Sequence, residues 1–171
     1  HQRMERHMDL KHATGAEVRR AIRGGQWRRP TPGLALGHVQ ANLVVTPREL
    51  AFDFLLFCQR NPKPCPLLDV TEPGDAEPRT VAPGADLRTD LPRYRVYRRG
   101  ELVVQPLDIL AYWDASNADR PNPDASASLR FIAPVAFLLG CSFTFESALM
   151  HAGIPVRHIE QKCNVPMFRT N

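Results

Sequence analysis

The start of a helix predicted near the end of the chain is the first place where this sequence could do chemistry. Ser142 and Glu146 stand four residues apart there, so their side chains share one face of the helix. The free backbone amides at a helix start can hold a carboxylate or an oxyanion, and Cys141 beside them is a candidate nucleophile. We therefore predict Glu146, Ser142 and Cys141 as candidate catalytic residues. The alternative is that Ser142 only caps the helix and that Glu146 only complements its dipole.

The closing run of the sequence supplies cations and hydrogen-bond donors. Arg157 or Arg169 could clamp a carboxylate, and Asn164 could donate a hydrogen bond to an oxyanion. His158 could move protons near neutral pH, so it joins the candidate catalytic residues, while the other three are candidate substrate-binding residues. The alternative is that both arginines pair with acids such as Glu160 and that His158 is a satisfied histidine on a strand.

Two upstream segments could also line a pocket. Gln40 and Asn42 alternate outward from an otherwise apolar strand, where they either line a pocket or bond to a proline-rich loop. The run 86–95 alternates acids with arginines and includes Arg93. It either lines a pocket or forms a rigid loop paired within itself. Gln40, Asn42 and Arg93 are therefore also predicted as substrate-binding residues.

No motif predicts a metal or a cofactor. The sequence contains no acid–histidine cluster with ligand spacing, no glycine-rich phosphate loop and no dinucleotide fingerprint. We expect its cysteines to be reduced and to serve as small buried hydrophobes, Cys58 above all because it lies inside an apolar run. No Cys-x-x-Cys pair occurs among the four cysteines, which are Cys58, Cys65, Cys141 and Cys163.

Composition restricts the class of protein and of partner. The chain has 171 residues, 43% of them hydrophobic and 23% charged, as in ordinary globular domains. Its net charge is +4, but residues 1–30 alone carry eight basic and three acidic side chains, so the excess is local. This distribution argues against a nucleic-acid partner, although an RNA-binding N-terminal arm is a rival interpretation.

With no membrane-length apolar run and no hydrophobic leader, we expect a location in the cytoplasm, or in the mitochondrial matrix of a eukaryote.

Periodicity and turn signals predict a single mixed α/β (α+β) domain with a mixed sheet flanked by helices. We expect a flexible segment over residues 1–12, one domain over 13–171 and a disordered insertion at 115–128. The helix from Pro47 to about Gln59 is apolar nearly all round, so we expect it to be buried. The predicted helices are 14–24, 47–59, 108–113 and 142–152, and the predicted strands are 39–45, 67–70, 94–97, 101–104, 132–139 and 156–159.

Several long motifs resemble a known family. They are Gln40–Leu43, Phe54–Pro66, Ala82–Tyr94, Gly140–Glu146, Gly153–His158 and Asn164–Asn171. Together they resemble the hydro-lyase family that includes the N-terminal part of mitochondrial D-glutamate cyclase, from about residue 13 to the last residue. Members of that family continue past the closing Arg-Thr-Asn motif, so the resemblance implies that the domain is incomplete at its C-terminus.

The resemblance implies a lyase of amino-acid metabolism that acts without a cofactor. Its substrate would be a small carboxylate or amino acid, either D-glutamate cyclised to 5-oxo-D-proline with loss of water or a similar acid that is dehydrated. A homo-oligomer is compatible with this interpretation. The alternative, from another functional class, is a non-catalytic module that binds a small acid or assembles with a partner segment needed for activity.

Overall fold

The computed structural model describes residues 9–113 and 133–161 of the chain. The predicted insertion at 115–128, Cys163, Asn164 and Arg169 therefore lie outside the described residues. The helices are α1 (Gly15–Arg23), α2 (Arg48–Arg60), α3 (Leu110–Trp113), α4 (Phe143–His151) and α5 (Arg157–Glu160). The strands are β1 (Ala41–Thr46), β2 (Leu67–Val70), β3 (Val96–Arg98), β4 (Glu101–Val104) and β5 (Val135–Gly140).

The strands form a three-stranded sheet in the order β1-β5-β2 and a separate β3-β4 hairpin. The mixed α and β class is confirmed, but the prediction of a mixed sheet needs correction because every pairing within the described residues is antiparallel. The reason lies in the connection through α2. It returns the chain so that β1 and β2 run in the same direction, and β5 then inserts between them and pairs antiparallel with both.

Strand β5 is the centre of the fold because both of its edges are paired and both of its faces are covered. Ala136 and Leu138 point into the main core, and Phe137 on the opposite face is fully buried. The ring of Phe54 from α2 meets Phe137 edge-on at 4.9 Å between centroids. The main core also contains Leu87, Tyr94, Val96, Ile109, Tyr112 and Trp113.

Helix α1 belongs to a second, smaller apolar cluster. A capping box forms the start of this helix: Thr14 Oγ1 accepts a hydrogen bond from the Glu17 amide, and the Glu17 carboxylate accepts one from the Thr14 amide. Leu10 is buried in this cluster as well. The other buried members are Val18, Ala21, Ile22, Leu34 and Ala35.

The prediction that α2 is buried on all sides is wrong. Of its side chains only Cys58 is fully buried, as predicted for that cysteine, whereas Phe52 is 71% exposed and Phe57 is 51% exposed. The helix lies against one face of a three-stranded sheet, so only the side chains on its Phe54–Cys58 side reach the core. A nearly uniform apolar sequence could not reveal which side that is.

The predicted strand at 156–159 is also wrong, because these residues form the short helix α5. The amide of Ile159 bonds the carbonyl of Val156, and that of Gln161 bonds the carbonyl of Arg157. These local bonds satisfy the backbone without a neighbouring strand, which favours a helical turn. His158 therefore lies on a helix.

The remaining predicted elements of the described residues are confirmed within a few residues. In the hairpin, Arg99 and Gly100 both have positive φ angles, 50° and 83°. This is the geometry of a two-residue type I′ turn, whose twist matches that of the two flanking strands. In the part of the chain that the structure describes, none of the helices is long and apolar enough to cross a membrane.

Candidate functional site

A cavity of about 960 Å³ lies beside β1, with the β3-β4 hairpin, α3 and the segment 91–95 forming its other walls. We call it the β1–hairpin cavity. Four of the residues predicted from sequence line it, namely Gln40, Asn42, Arg93 and Cys141. These residues are up to 101 positions apart in the chain, so the fold has brought separate motifs to one place.

The charged side chains in the described wall of this cavity are all positive. Arg93, Arg95 and Arg99 are the charged residues in the part of its wall that the structure describes, and no acidic side chain lines it there. Guanidinium groups bind carboxylates through two parallel hydrogen bonds and stay protonated at all relevant pH values. The wall therefore suits an anionic ligand. Arg95 and Arg99 were missed by the sequence analysis, although the alternation of the 86–95 run pointed to Arg95.

Tyr94 contributes a neutral polar group to the cavity wall. Its hydroxyl donates a hydrogen bond to the Leu87 carbonyl at 2.8 Å and accepts one from the Leu91 amide at 3.3 Å. Burial raises the pKa of this phenol well above its usual value of 10. Tyr94 therefore stays protonated at physiological pH and fixes the loop rather than exchanging protons.

The loop that carries Arg93 is held by carboxylates. Asp90 has a buried side chain and accepts two hydrogen bonds of 2.7 Å from the guanidinium of Arg23, on α1. Arg88 donates to both oxygens of Asp86, at 2.9 and 3.0 Å. The run is therefore paired only partly within itself, through Arg88 and Asp86, because Asp90 pairs with α1, while its second half lines the cavity.

These contacts also set the ionisation of Asp86. Partial burial raises the pKa of its carboxyl, but the hydrogen bonds and charge of Arg88, helped by the charge of Arg23, outweigh burial. The net result is a pKa below the usual value. The carboxylate of Asp86 is therefore stabilised in the folded protein.

Gln40 and Asn42 differ in how they are held. The side-chain amide of Gln40 donates to the Leu34 carbonyl at 3.0 Å, so it ties β1 to the connector after α1 while lining the cavity. Asn42 is exposed on the same strand and lines the cavity too. Of the two alternatives considered for this pair, pocket lining is observed for both residues.

A second group of predicted residues comes together on the two C-terminal helices. Oε2 of Glu146 on α4 lies 3.3 Å from Nε2 of His158 on α5, and both side chains are largely buried. A buried carboxylate next to an imidazole can pass a proton to or from a substrate. The alternative of a satisfied strand histidine is therefore wrong about the strand, since His158 lies on α5, but its imidazole is paired, with Glu146.

The other predicted residues near α4 behave differently. Ser142 occupies the position before the helix, but its side chain makes no capping hydrogen bond there and is exposed. Glu146 lies in the first turn of α4, where a carboxylate complements the helix dipole, as the alternative for that residue stated. Arg157 is exposed at the start of α5 and does not line the cavity. Among the described residues, no group of three or more His, Cys, Asp or Glu side chains could hold a metal ion.

Comparison with known proteins gives a family match to the segment that carries α4 and α5. The family model for D-glutamate cyclase matches residues 135–171, which contain β5, α4 and α5. The chain is 60% identical over 155 residues to a protein of Geobacillus kaustophilus named "putative hydro-lyase". The predicted family resemblance is confirmed.

Further hydro-lyase relatives match this chain over a similar number of residues. A protein of Stutzerimonas stutzeri with the same name is 57% identical over 156 residues, and one of Psychrobacter arcticus is 51% identical over 164 residues. The matches cover 91% of this chain for the Geobacillus and Stutzerimonas proteins and 96% for the Psychrobacter protein, but only 52%, 52% and 56% of those proteins. The chain spans about half the length of the curated hydro-lyase relatives it matches.

Proposed function

We propose that this chain carries the carboxylate-binding part of a hydro-lyase active site, with D-glutamate as the first candidate substrate. The observation that carries the proposal is the β1–hairpin cavity, whose described charged lining consists of Arg93, Arg95 and Arg99. A cavity of this size accommodates a small acid with room to spare. The similarity to hydro-lyases and to the D-glutamate cyclase family supports the reaction class.

Cyclisation of D-glutamate has definite chemical requirements. The α-amine attacks the side-chain carboxyl carbon, a C–N bond forms, a C–O bond breaks, and one water molecule leaves to give 5-oxo-D-proline. The site must hold the α-carboxylate, accept a proton from the amine, stabilise the oxyanion and protonate the departing oxygen. Dehydration of a similar small acid needs nearly the same groups.

The residues can be matched to these requirements. The cavity arginines would hold the carboxylate, and Asn42 would donate a hydrogen bond to the oxyanion. Glu146 and His158 would exchange protons with the substrate. Neither belongs to the described cavity wall, and Glu146 follows the wall residue Cys141 by five positions. Asn164 and Arg169 keep their predicted binding roles as proposals. We also propose that the protein acts in amino-acid metabolism, in the cytoplasm or in the mitochondrial matrix.

The second candidate function is a non-catalytic module that binds a small acid and needs a partner segment. It is favoured by one observation, namely that the chain spans about half the length of its relatives. In that case the β1–hairpin cavity would bind the acid, and the catalytic groups would come from the remainder.

Chiral product analysis tests these proposals together. The chain is incubated with D-glutamate in parallel with the full-length Geobacillus kaustophilus relative. 5-Oxo-D-proline from both supports a complete site in this chain, whereas product from the relative alone supports the binding module. The absence of product from both contradicts the cyclase proposal, and a panel of small hydroxy and amino acids then tests the wider hydro-lyase proposal.

A matched pair of substitutions tests the cavity itself. Arg99→Gln removes a cavity guanidinium, whereas Arg98→Gln removes an exposed neighbouring one that is not part of the wall. Loss of one bidentate carboxylate contact of about 1.5–3 kcal/mol predicts a rise of roughly 10- to 100-fold in the Kd for D-glutamate. Arg98→Gln should change the Kd less than about twofold. Equal effects of the two substitutions would contradict a carboxylate site in this cavity.

A further inference from the structure

Three of the cysteines border the same end of the three-stranded sheet. Cys58 lies in the last turn of α2, Cys65 lies two positions before β2, and Cys141 directly follows β5. Cys58 is 1% exposed, whereas Cys65 and Cys141 are partly exposed, and all three are free thiols. Two neighbouring thiols have a chemistry that a single thiol lacks, because they can be oxidised together to a disulfide.

The pairing of β2 with β5 places Cys65 opposite Cys141. The amide of Gly140 donates a hydrogen bond to the carbonyl of Pro66 at 2.8 Å, which continues the antiparallel register of the two strands by one position. A Cβ atom added at Gly140 would lie 3.0 Å from Cγ of Pro66, so these two residues face each other closely. The next position of the same register pairs Cys65 with Cys141.

The spacing of this position suits a disulfide. Because Pro66 and Gly140 share a ladder hydrogen bond, the next pair takes the closer antiparallel spacing, about 4.5 Å between Cα atoms. Residues joined by a disulfide have Cα atoms roughly 4.4–6.8 Å apart. Opposed side chains of an antiparallel pair also lie on the same face of the sheet.

That face is the one that α2 covers. Phe137 of β5 contacts Phe54 of α2, and alternation along the strand puts Cys141, four positions later, on the same side as Phe137. The position of Cys65 agrees with this by a separate observation. Burial raises the pKa of the Cys58 thiol, and the charge of Cys65 raises it further, so Cys65 lies near the side of α2 that faces the sheet.

We propose that Cys65 and Cys141 form a dithiol that peroxides oxidise reversibly to a disulfide. Cys141 is the first residue to react, because it lines the β1–hairpin cavity and is partly exposed. Its thiolate attacks one oxygen of the peroxide, an S–O bond forms, and the O–O bond breaks with release of the first water.

The second step closes the disulfide. The thiolate of Cys65 attacks Sγ of Cys141, the S–S bond forms, and the S–O bond breaks as hydroxide leaves and takes up a proton to give the second water. Two thiols are thereby oxidised while one peroxide is reduced to two waters. Cys58 takes no part, since its side chain is buried.

The site is compatible with thiols that are reduced at rest. In reducing compartments, disulfides are mostly transient and serve catalysis or redox sensing. Cys141 belongs to the described cavity wall and Cys65 does not, so the disulfide ties that wall to the β2 side of the sheet. This inference does not rest on the proposed reaction.

The test is a map of the disulfide formed by the 171-residue chain. The reduced chain is treated with a stoichiometric amount of hydrogen peroxide, the remaining thiols are blocked with iodoacetamide, and tryptic peptides are analysed by mass spectrometry without reduction. Cleavage at arginine and lysine leaves each of the four cysteines in a separate peptide, so the linked peptides identify the partners. Cys65→Ser and Cys141→Ser each remove one partner, and Cys58→Ala is the matched control.

We expect a linked pair of the Cys65 and Cys141 peptides, the loss of two free thiols per chain, and full recovery of both with dithiothreitol. Each serine variant should abolish this link, whereas Cys58→Ala should retain it. A link to Cys58 or Cys163, or a link between two chains, would overturn the proposal. So would unreacted thiols at both positions, or a sulfinic acid at Cys141 beside an alkylated Cys65. The assay needs neither ligand nor turnover, so failure here is distinguishable from failure of the proposed function.

Discussion

The carboxylate of Glu146 lies 3.3 Å from the imidazole of His158, across the junction between α4 and α5. Both residues are candidate catalytic residues by sequence, but their spacing of 12 positions did not indicate contact between them. The turn at Gly153 and the helical geometry of α5 return the chain so that the two side chains meet. An acid–base pair is thereby formed from two different motifs.

Substitution Glu146→Gln should lower kcat by roughly 10²- to 10⁴-fold with little change in KM, because the amide cannot exchange the proton. The assay is product formation in whichever length of chain is active. Glu160→Gln, an exposed acid on α5, is the control and should leave kcat unchanged. A Glu146→Gln variant that folds normally and retains full activity would remove Glu146 from the mechanism.

The contact between Arg23 and Asp90 should contribute measurably to stability. Arg23→Gln leaves the buried Asp90 carboxylate without its bidentate partner, and we expect a loss of roughly 1.5–3 kcal/mol in the free energy of unfolding. Arg79→Gln breaks a solvent-exposed ion pair with Asp75 and should cost less than about 1 kcal/mol. Urea unfolding of both variants checks the difference, and similar losses would contradict the importance of burial here.

The rate at which Cys141 is alkylated should show whether the β1–hairpin cavity is occupied. Cys141 lines the cavity and is partly exposed, so alkylation by iodoacetamide should proceed and should slow when D-glutamate or another bound acid is present. Cys58 should react only on unfolding, since it is 1% exposed and burial raises the pKa of its thiol.

Cys65 provides the internal control for this experiment. It is partly exposed but is not part of the described cavity wall, so a bound acid should not change its rate. Peptide mass spectrometry measures each site separately. Equal protection of Cys65 and Cys141 would indicate a global change in the protein rather than occupancy of the cavity.

The lowered pKa of Asp86 predicts a loss of stability in acid. The fold favours the ionised carboxylate, so its contribution is complete above the ordinary value of 3.8 and is lost as the pH falls through the lower folded value. The Asp86→Asn variant should therefore differ from the parent at pH 7 and approach it near pH 2. Urea unfolding across this range tests the sign, and a difference that grows toward acid would contradict it.

The sequence by itself determined the features that depend on neighbours along the chain. Thr14 and Glu17 specified the start of α1, Arg99-Gly100 specified the hairpin turn, and the apolar run before Gly140 specified β5. Each rests on hydrogen bonds or side-chain alternation within a few residues, so a local pattern is sufficient. The long motifs likewise determined the family resemblance, since it depends only on residue order.

Only the tertiary structure decided which distant residues meet and which faces stay exposed. Arg23 binds Asp90 across 67 positions, and Arg93, Arg95 and Arg99 share a wall with Cys141. Both results depend on where the loops place whole elements, which no local periodicity encodes. The same reason explains α2: its apolar residues predicted burial, but one sheet face can cover only one side of a helix, and Phe52 lies on the other.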